Sequence, residues 1–187
     1  MLINNSTIIK DHNNKEILKK RSVAVKLPLS AEDKHLLKQM YDYVDKSTNE
    51  EIAKKENLRP AVGISAVQLG IHKRMFVVIL KDEKGEIIHQ YSLVNPKIIE
   101  SSIKKCYLSS GEGCLSVERD HQGYVYRDYK IKIKAYNYLT DKEEIIDAKG
   151  FLAIVMQHEY DHLEGKLFYE RIDHDKPFFA DPKAIKI

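Results

Sequence analysis

His158 and His162 stand four residues apart in "QHEYDH", with Glu159 directly after the first. On a helix of about 3.6 residues per turn, that spacing stacks both imidazoles on one face. Glu159 falls about 100° round the helix, near enough to take a proton from a water at a bound metal without ligating the metal itself. Two imidazoles do not complete a catalytic site, which usually takes three protein ligands and keeps one position open. The third ligand decides the chemistry.

One class of zinc peptidase extends this pattern with a glycine and a further histidine. Gly165 falls in register here, but the next required position is Phe168. A second class takes a glutamate from a later helix. Glu170 is available, yet it lies in a short tail interrupted by Pro177 and Pro182. Upstream, "SSGEGCLSV" (109–117) offers Cys114 between a glycine-containing loop and the small Ser116, where backbone can approach a metal closely. A thiolate with two imidazoles is a sound set for zinc or iron(II). A lone cysteine is more often buried packing than a ligand; beside a helix lacking its third ligand, Cys114 is preferred and Glu170 is the alternative. Cys106 has no such context and reads as packing.

With that set, Glu159 would accept a proton from water and return it to a leaving amine. The chemistry also needs a donor for the oxyanion of a tetrahedral intermediate. A buried glutamine amide or a backbone N–H in a glycine-containing loop would serve.

These groups need a scaffold. "FLAIVMQHEYDHLE" is apolar over most of its circumference before the histidines, which predicts a central, buried helix ended by Gly165 at C′. Ser30 and Asp33 cap a first amphipathic helix with Leu36, Leu37, Met40 and Val44 on one face. "RMFVVIL" (74–80) suits a buried strand, and "DEKG" turns into "EIIHQYSLV", which Pro96 is expected to break. "YKIKIKAY" (129–136) alternates as a half-buried antiparallel strand, and "LTDK" turns into "EEIIDAKG". Strands around one buried helix, without βαβ alternation, predict an α+β fold of antiparallel strands packed around the helix that carries H-E-x-x-H. No break in composition marks a second domain, so residues 1–187 read as one domain.

At 187 residues, 43% hydrophobic and 32% charged, the chain has the composition of an ordinary soluble globular protein. A net charge of +3 is too small to argue nucleic-acid binding, no specific DNA binding is expected, and the basic run from Lys10 to Lys26 reads as a solvated face. No apolar run suits a signal peptide or a membrane span, and two cysteines make no disulfide framework, so a cytoplasmic location is expected.

Three segments together resemble peptide deformylase: "AVGISAVQLG" (61–70), "EGCLS" (112–116) and "QHEYDHLEG" (157–165). The first follows the family pattern G-x-G-x-A-A-x-Q at Gly63, Ala66 and Gln68, and departs from it at Ala61 and Ser65. The other two match throughout. The segment before the first motif and the ending "FYERIDHDKPF" look like the longer, Gram-positive-type branch. The resemblance implies removal of the formyl group from the N-terminal formylmethionine of nascent polypeptides, with release of formate. It implies Cys114, His158 and His162 as metal ligands and Glu159 as the general acid/base. Gln68 and the Leu115 backbone N–H would donate to the oxyanion. Gly63, Glu112 and Gly113 would line the substrate's path, with Val62 and Ile154 near the methionine pocket. The implied metal is Fe2+, one per chain, with Zn2+, Ni2+ or Co2+ able to substitute. The implied partners are N-formylmethionyl nascent peptides and the ribosome near its exit tunnel.

Ala61 adds a methyl that would cost on the order of 1 kcal/mol if its φ were positive. Ser65 brings a hydroxyl that could compete for a hydrogen bond with Gln68 or Glu112. The same helix could also support a metallopeptidase that cuts internal bonds. A ribosome-associated RNA-binding protein with a structural metal would need a fourth protein ligand, and would leave Glu159 without a purpose.

Overall fold

A computed structural model describes residues 3–187. Three helices come first: α1 (Asp11–Leu18), α2 (Ala31–Ser47) and α3 (Glu50–Glu56). Ser30 caps α2, its Oγ accepting from the Asp33 N–H at 3.1 Å, and the face of Leu36, Leu37, Met40 and Val44 is buried. The polar stretch after α2 becomes a separate helix, capped by Asn49 and ended by Asn57 in the left-handed conformation.

The strands form an antiparallel five-stranded sheet in the order β1 (Gly63–Ser65), β2 (Met75–Lys81), β3 (Ile87–Ser101), β6 (Lys130–Asn137), β7 (Lys142–Lys149). A small second sheet places β4 (Lys105–Tyr107) between β5 (Arg127–Asp128) and β8 (Ile185–Lys186), the last pairing in parallel. In β6, Ile131, Ile133 and Ala135 point inward while Lys130 and Lys134 face solvent, as the alternation predicts.

Pro96 does not break its strand. β3 runs through it for 15 residues, with the register to β6 slipping between Val94 and Lys97. The missing N–H falls at this bulge, where no ladder bond is lost. Asn95, at φ 53°, instead clasps the Val25 backbone through both ends of its side-chain amide, at 2.7 and 2.8 Å.

Helix α4 (Phe151–Leu163) is buried from Leu152 to Gln157 and packs against β1, β2, β5 and β7. Gly165 follows at φ 71°; a Cβ there would meet the Lys19 carbonyl oxygen at 2.2 Å. That glycine lets α1 close over the end of α4. Helix α1 and the short strands β1, β5 and β8 have no counterpart in the elements read from the sequence. No helix among the described residues is long and apolar enough to cross a membrane.

Candidate active site

Three segments converge on one cavity of about 340 Å³. Strand β1 and the 3₁₀ turn after it (Ala66–Leu69) bring Gly63 and Gln68. The loop between β4 and β5 brings Glu112, Gly113, Cys114 and Leu115, and α4 brings Ile154, His158 and Glu159. Val62 completes the set, so every residue expected at the site lines the cavity except His162, which is buried directly behind it.

The ligand atoms of Cys114, His158 and His162 all lie within 4.8 Å of one another, and Cys114 Sγ is 3.2 Å from His162 Nε2. With metal–sulfur near 2.3 Å and metal–nitrogen near 2.0–2.1 Å, a tetrahedral set needs roughly 3.3–3.6 Å between ligand atoms. The sulfur–His162 pair is at about that spacing, so the three atoms could hold a divalent ion after a small adjustment. Glu170 is elsewhere, its carboxylate held by Lys19 at 2.6 Å.

Burial pushes the Cys114 thiol up, but the His162 charge and hydrogen bonds from both imidazoles outweigh it and bring the pKa to about 5. Sulfur is therefore a thiolate at neutral pH, ready to ligate without losing a proton first.

His158 is oriented by a buried ion network. Its Nδ1 lies 2.8 Å from Glu112 Oε2. Burial raises the Glu112 pKa, but Arg127 and His158 outweigh it and hold the carboxylate at about 2. A carboxylate only accepts, so Nδ1 carries the proton and Nε2 is turned toward the cluster. Arg127, 2% exposed, pairs with both Glu112 oxygens at 2.8 and 2.9 Å and also contacts Asp161. Arg171 closes the chain with two bonds to Asp161, at 2.5 and 2.6 Å. Glu112 thus lines the cavity, but its carboxylate is committed to Arg127 and His158. Asp161, expected as a spacer with an outer hydrogen bond, is a buried anion between two guanidinium groups.

Glu159 is 4% exposed, and its Oε2 has no hydrogen-bond partner among the described residues. Burial raises its pKa to about 7, against the lowering effect of His158 and His162. A carboxyl poised near neutrality both takes and gives a proton. Gly63 makes room for it: a Cβ there would stand 2.7 Å from Glu159 Oε1. Gly63→Ala is expected to push the carboxylate aside and lower kcat at least tenfold while the metal stays bound. Metal content and kcat on the purified variant check this; unchanged kcat would show that the carboxylate has slack.

Gln68 is fixed at its acceptor end. Ser65 donates to its Oε1 from the backbone N–H at 2.9 Å and from Oγ at 3.2 Å. That leaves Nε2 facing Cys114 Sγ at 3.6 Å and Ser116 Oγ at 3.2 Å. The Ser65 backbone N–H therefore orients the amide, while its single hydroxyl proton stands between Gln68 Oε1 and the Glu159 carboxylate. Ala61 is not among the residues with positive φ, so its methyl carries no left-handed strain.

Sequence reasoning missed Arg127, Arg59 and Phe151. Arg59 and Phe151 border the cavity, and Phe151 is 40% exposed at its rim. The only local sign of Phe151 is its place at the start of α4. Of the histidines expected at the surface, His72 bonds the Ile17 carbonyl at 2.9 Å and His121 stacks on Tyr169 at 4.0 Å.

An α+β fold whose H-E-x-x-H helix meets a cysteine and a cavity-facing glutamine defines a metal-dependent amide hydrolase. Comparison with known proteins narrows the class. The sequence matches the family model for polypeptide deformylase over residues 6–178. It is 44% identical to peptide deformylase 2 of Geobacillus stearothermophilus over 170 residues, covering 91% of each chain. It is 46% identical to the peptide deformylase of Oceanobacillus iheyensis over 161 residues, 86% of this chain and 87% of that one. Among solved structures, peptide deformylase from Ehrlichia chaffeensis superposes with a TM-score of 0.70 at 28% identity, covering 95% of this chain and 91% of that one. The actinonin-bound class I type b enzyme from Acinetobacter baumannii gives 0.67 at 30% identity, covering 92% and 100%. The chain belongs to the polypeptide deformylase family. It is a hydrolase that removes N-formyl groups from nascent peptides, and its relatives include the Gram-positive enzymes.

Proposed function

We propose that Cys114, His158 and His162 hold one divalent ion, Fe2+ in the working enzyme, with Zn2+, Ni2+ or Co2+ able to replace it. When bound, the ion supplies Lewis-acid chemistry, polarising the formyl oxygen and making water a nucleophile at neutral pH. Glu159 takes a proton from the attacking water. The Gln68 Nε2–H and the Leu115 backbone N–H donate to the oxygen that becomes negative as the formyl carbon turns tetrahedral. Glu159 then delivers its proton to the amine nitrogen as the C–N bond breaks, leaving formate and a free N-terminus. Val62 and Ile154 give the methionine side chain an apolar wall, and Gly63, Glu112 and Gly113 border the path of the peptide backbone.

Supporting this reading is the meeting, in one cavity, of a three-atom ligand set, an acid–base carboxyl with a free oxygen, and an amide donor fixed at its other end. We place the chain, as a single domain over residues 1–187, in the cytoplasm, where a thiolate ligand stays reduced. The ribosome near its exit tunnel is the partner that would present formylated N-termini.

Gln68→Ala tests the oxyanion role. Losing one donor that acts only in the transition state costs about 3 kcal/mol, or roughly a hundredfold in kcat, with KM and metal content little changed. A raised KM with unchanged kcat would place Gln68 in substrate binding. The metal is tested by stripping the protein anaerobically, reloading it with Fe2+ or Zn2+, and measuring formate release before and after exposure to air. The Fe2+ form is expected to be faster and to decay in air, since both iron and the Cys114 thiolate oxidise. An equally fast, air-stable Zn2+ form would overturn that choice.

A further inference from the structure

The basic run from Lys10 to Lys26 reads as a solvated face, and Lys10 departs from it. Its side chain is 11% exposed, and its ammonium donates to the Leu115 carbonyl at 2.7 Å and to Asn5 Oδ1 at 3.0 Å. The carboxylate of Glu118 stands farther off, at 4.0 Å, and is half exposed. The main partner of this partly buried cation is thus a backbone carbonyl. The N–H of the same peptide group belongs to Ser116, and it donates to Cys114 Sγ at 3.4 Å. One planar unit, Leu115–Ser116, therefore has an ammonium on its oxygen and the thiolate sulfur on its N–H. The chain on either side of Lys10 is tied to the same place. The Ile9 N–H donates to the Gln68 carbonyl at 2.8 Å, and the Asp11 N–H to the Ser116 carbonyl at 2.9 Å.

We propose that Lys10 is a positioning residue for the Cys114 thiolate, strengthening the N–H···S bond at that sulfur through the Leu115–Ser116 peptide group. The inference rests on the reading of Cys114 as a metal ligand. A cation on an amide oxygen draws density through the conjugated C–N bond and makes the N–H a better donor. A thiolate that receives a stronger hydrogen bond gives less charge to its metal, so the ion keeps more Lewis acidity. The planarity of the peptide also transmits orientation, so holding the oxygen aims the N–H at sulfur. A lysine with no such part would only tether the N-terminal segment.

Lys10→Met removes the charge and the donor but keeps the apolar stem; Lys10→Gln keeps a neutral donor, and Lys10→Arg keeps the charge. Each is loaded with cobalt(II), and the near-ultraviolet sulfur-to-cobalt charge-transfer band is recorded with kcat, KM and the melting temperature. Weakening the N–H···S bond raises the energy of the sulfur lone pair. The band is therefore expected to move to longer wavelength in Lys10→Met and in Lys10→Gln, and to return in Lys10→Arg. With it, kcat should fall several-fold at nearly constant KM, and recover in Lys10→Arg. Should one neutral variant fail to fold, the other carries the test. A band that stays in place in a folded, cobalt-loaded neutral variant overturns the proposal, as does a lower melting temperature with no spectral change. A wild-type protein that binds cobalt without any sulfur-to-cobalt band would instead overturn Cys114 as a ligand.

Discussion

Glu159→Ala is expected to lower kcat by about 10²–10⁴-fold, the usual worth of a positioned acid–base group, while metal content stays near one per chain. The expectation follows from where the carboxyl stands. Its Oε2 is buried without a partner among the described residues, and it is not part of the three-atom ligand cluster. Burial holds its pKa up at about 7, so near neutral pH it is divided between the form that takes a proton and the form that gives one. Truncation removes both forms at once and leaves the thiolate and imidazoles in place. Glu159→Gln keeps the bulk against Gly63 and should lose as much activity, which separates proton transfer from packing. Metal analysis beside steady-state kinetics decides it. Joint loss of metal and activity would make the residue structural.

Cys114→Ala is expected to do the opposite and lose the metal itself. The thiol, brought to about 5 by His162 and His158 against its burial, offers an anion with no proton to displace. Without it only two imidazoles remain, and these hold a divalent ion weakly. Dialysis against a weak chelator should leave wild type near one equivalent and the variant near none, with formate release lost in proportion. Cys114→Ser, closer in shape, should also lose most of its metal, since a neutral hydroxyl is a poor ligand beside two imidazoles. Full occupancy in Cys114→Ala would return attention to Glu170, which would first have to leave Lys19.

The parts of the fold legible from sequence are those whose periodicity is local. The face of α2, the alternation of β6 and the apolar circumference of α4 each report burial directly, and the structure has all three. Pro96 misled because a proline removes one N–H and the bulge happens to put that position where none is needed. The strand β8 is two residues long and pairs with β4 across more than seventy residues, so nothing near it signals a strand. Helix α1 is short, polar and interrupted at Asn14; its order comes from docking beside Gly165.

At the proposed site, His158, Glu159 and His162 were legible from their helical spacing and Cys114 from its glycine-containing loop, whereas Gln68, Leu115 and the lining residues came only through the resemblance to the family. The residues that hold these groups were not legible. Arg127 sits in "YVYRDY", and only the tertiary fold brings it between Glu112 and Asp161. Ser65 read as a competitor because a hydroxyl both donates and accepts, and only the structure shows it standing between the acceptor end of Gln68 and the Glu159 carboxylate.

One measurement tests the central claim most directly. The Fe2+-loaded protein is mixed anaerobically with a formyl-methionyl tripeptide, the same peptide acetylated, and a longer peptide free at its N-terminus. Formate and new amines are counted in each. The expected result is one formate for each new amine from the formylated peptide, and neither product from the other two. New amines from the unblocked peptide, or amines without formate, would mean that this cavity cuts internal bonds and that the assignment of its chemistry is wrong.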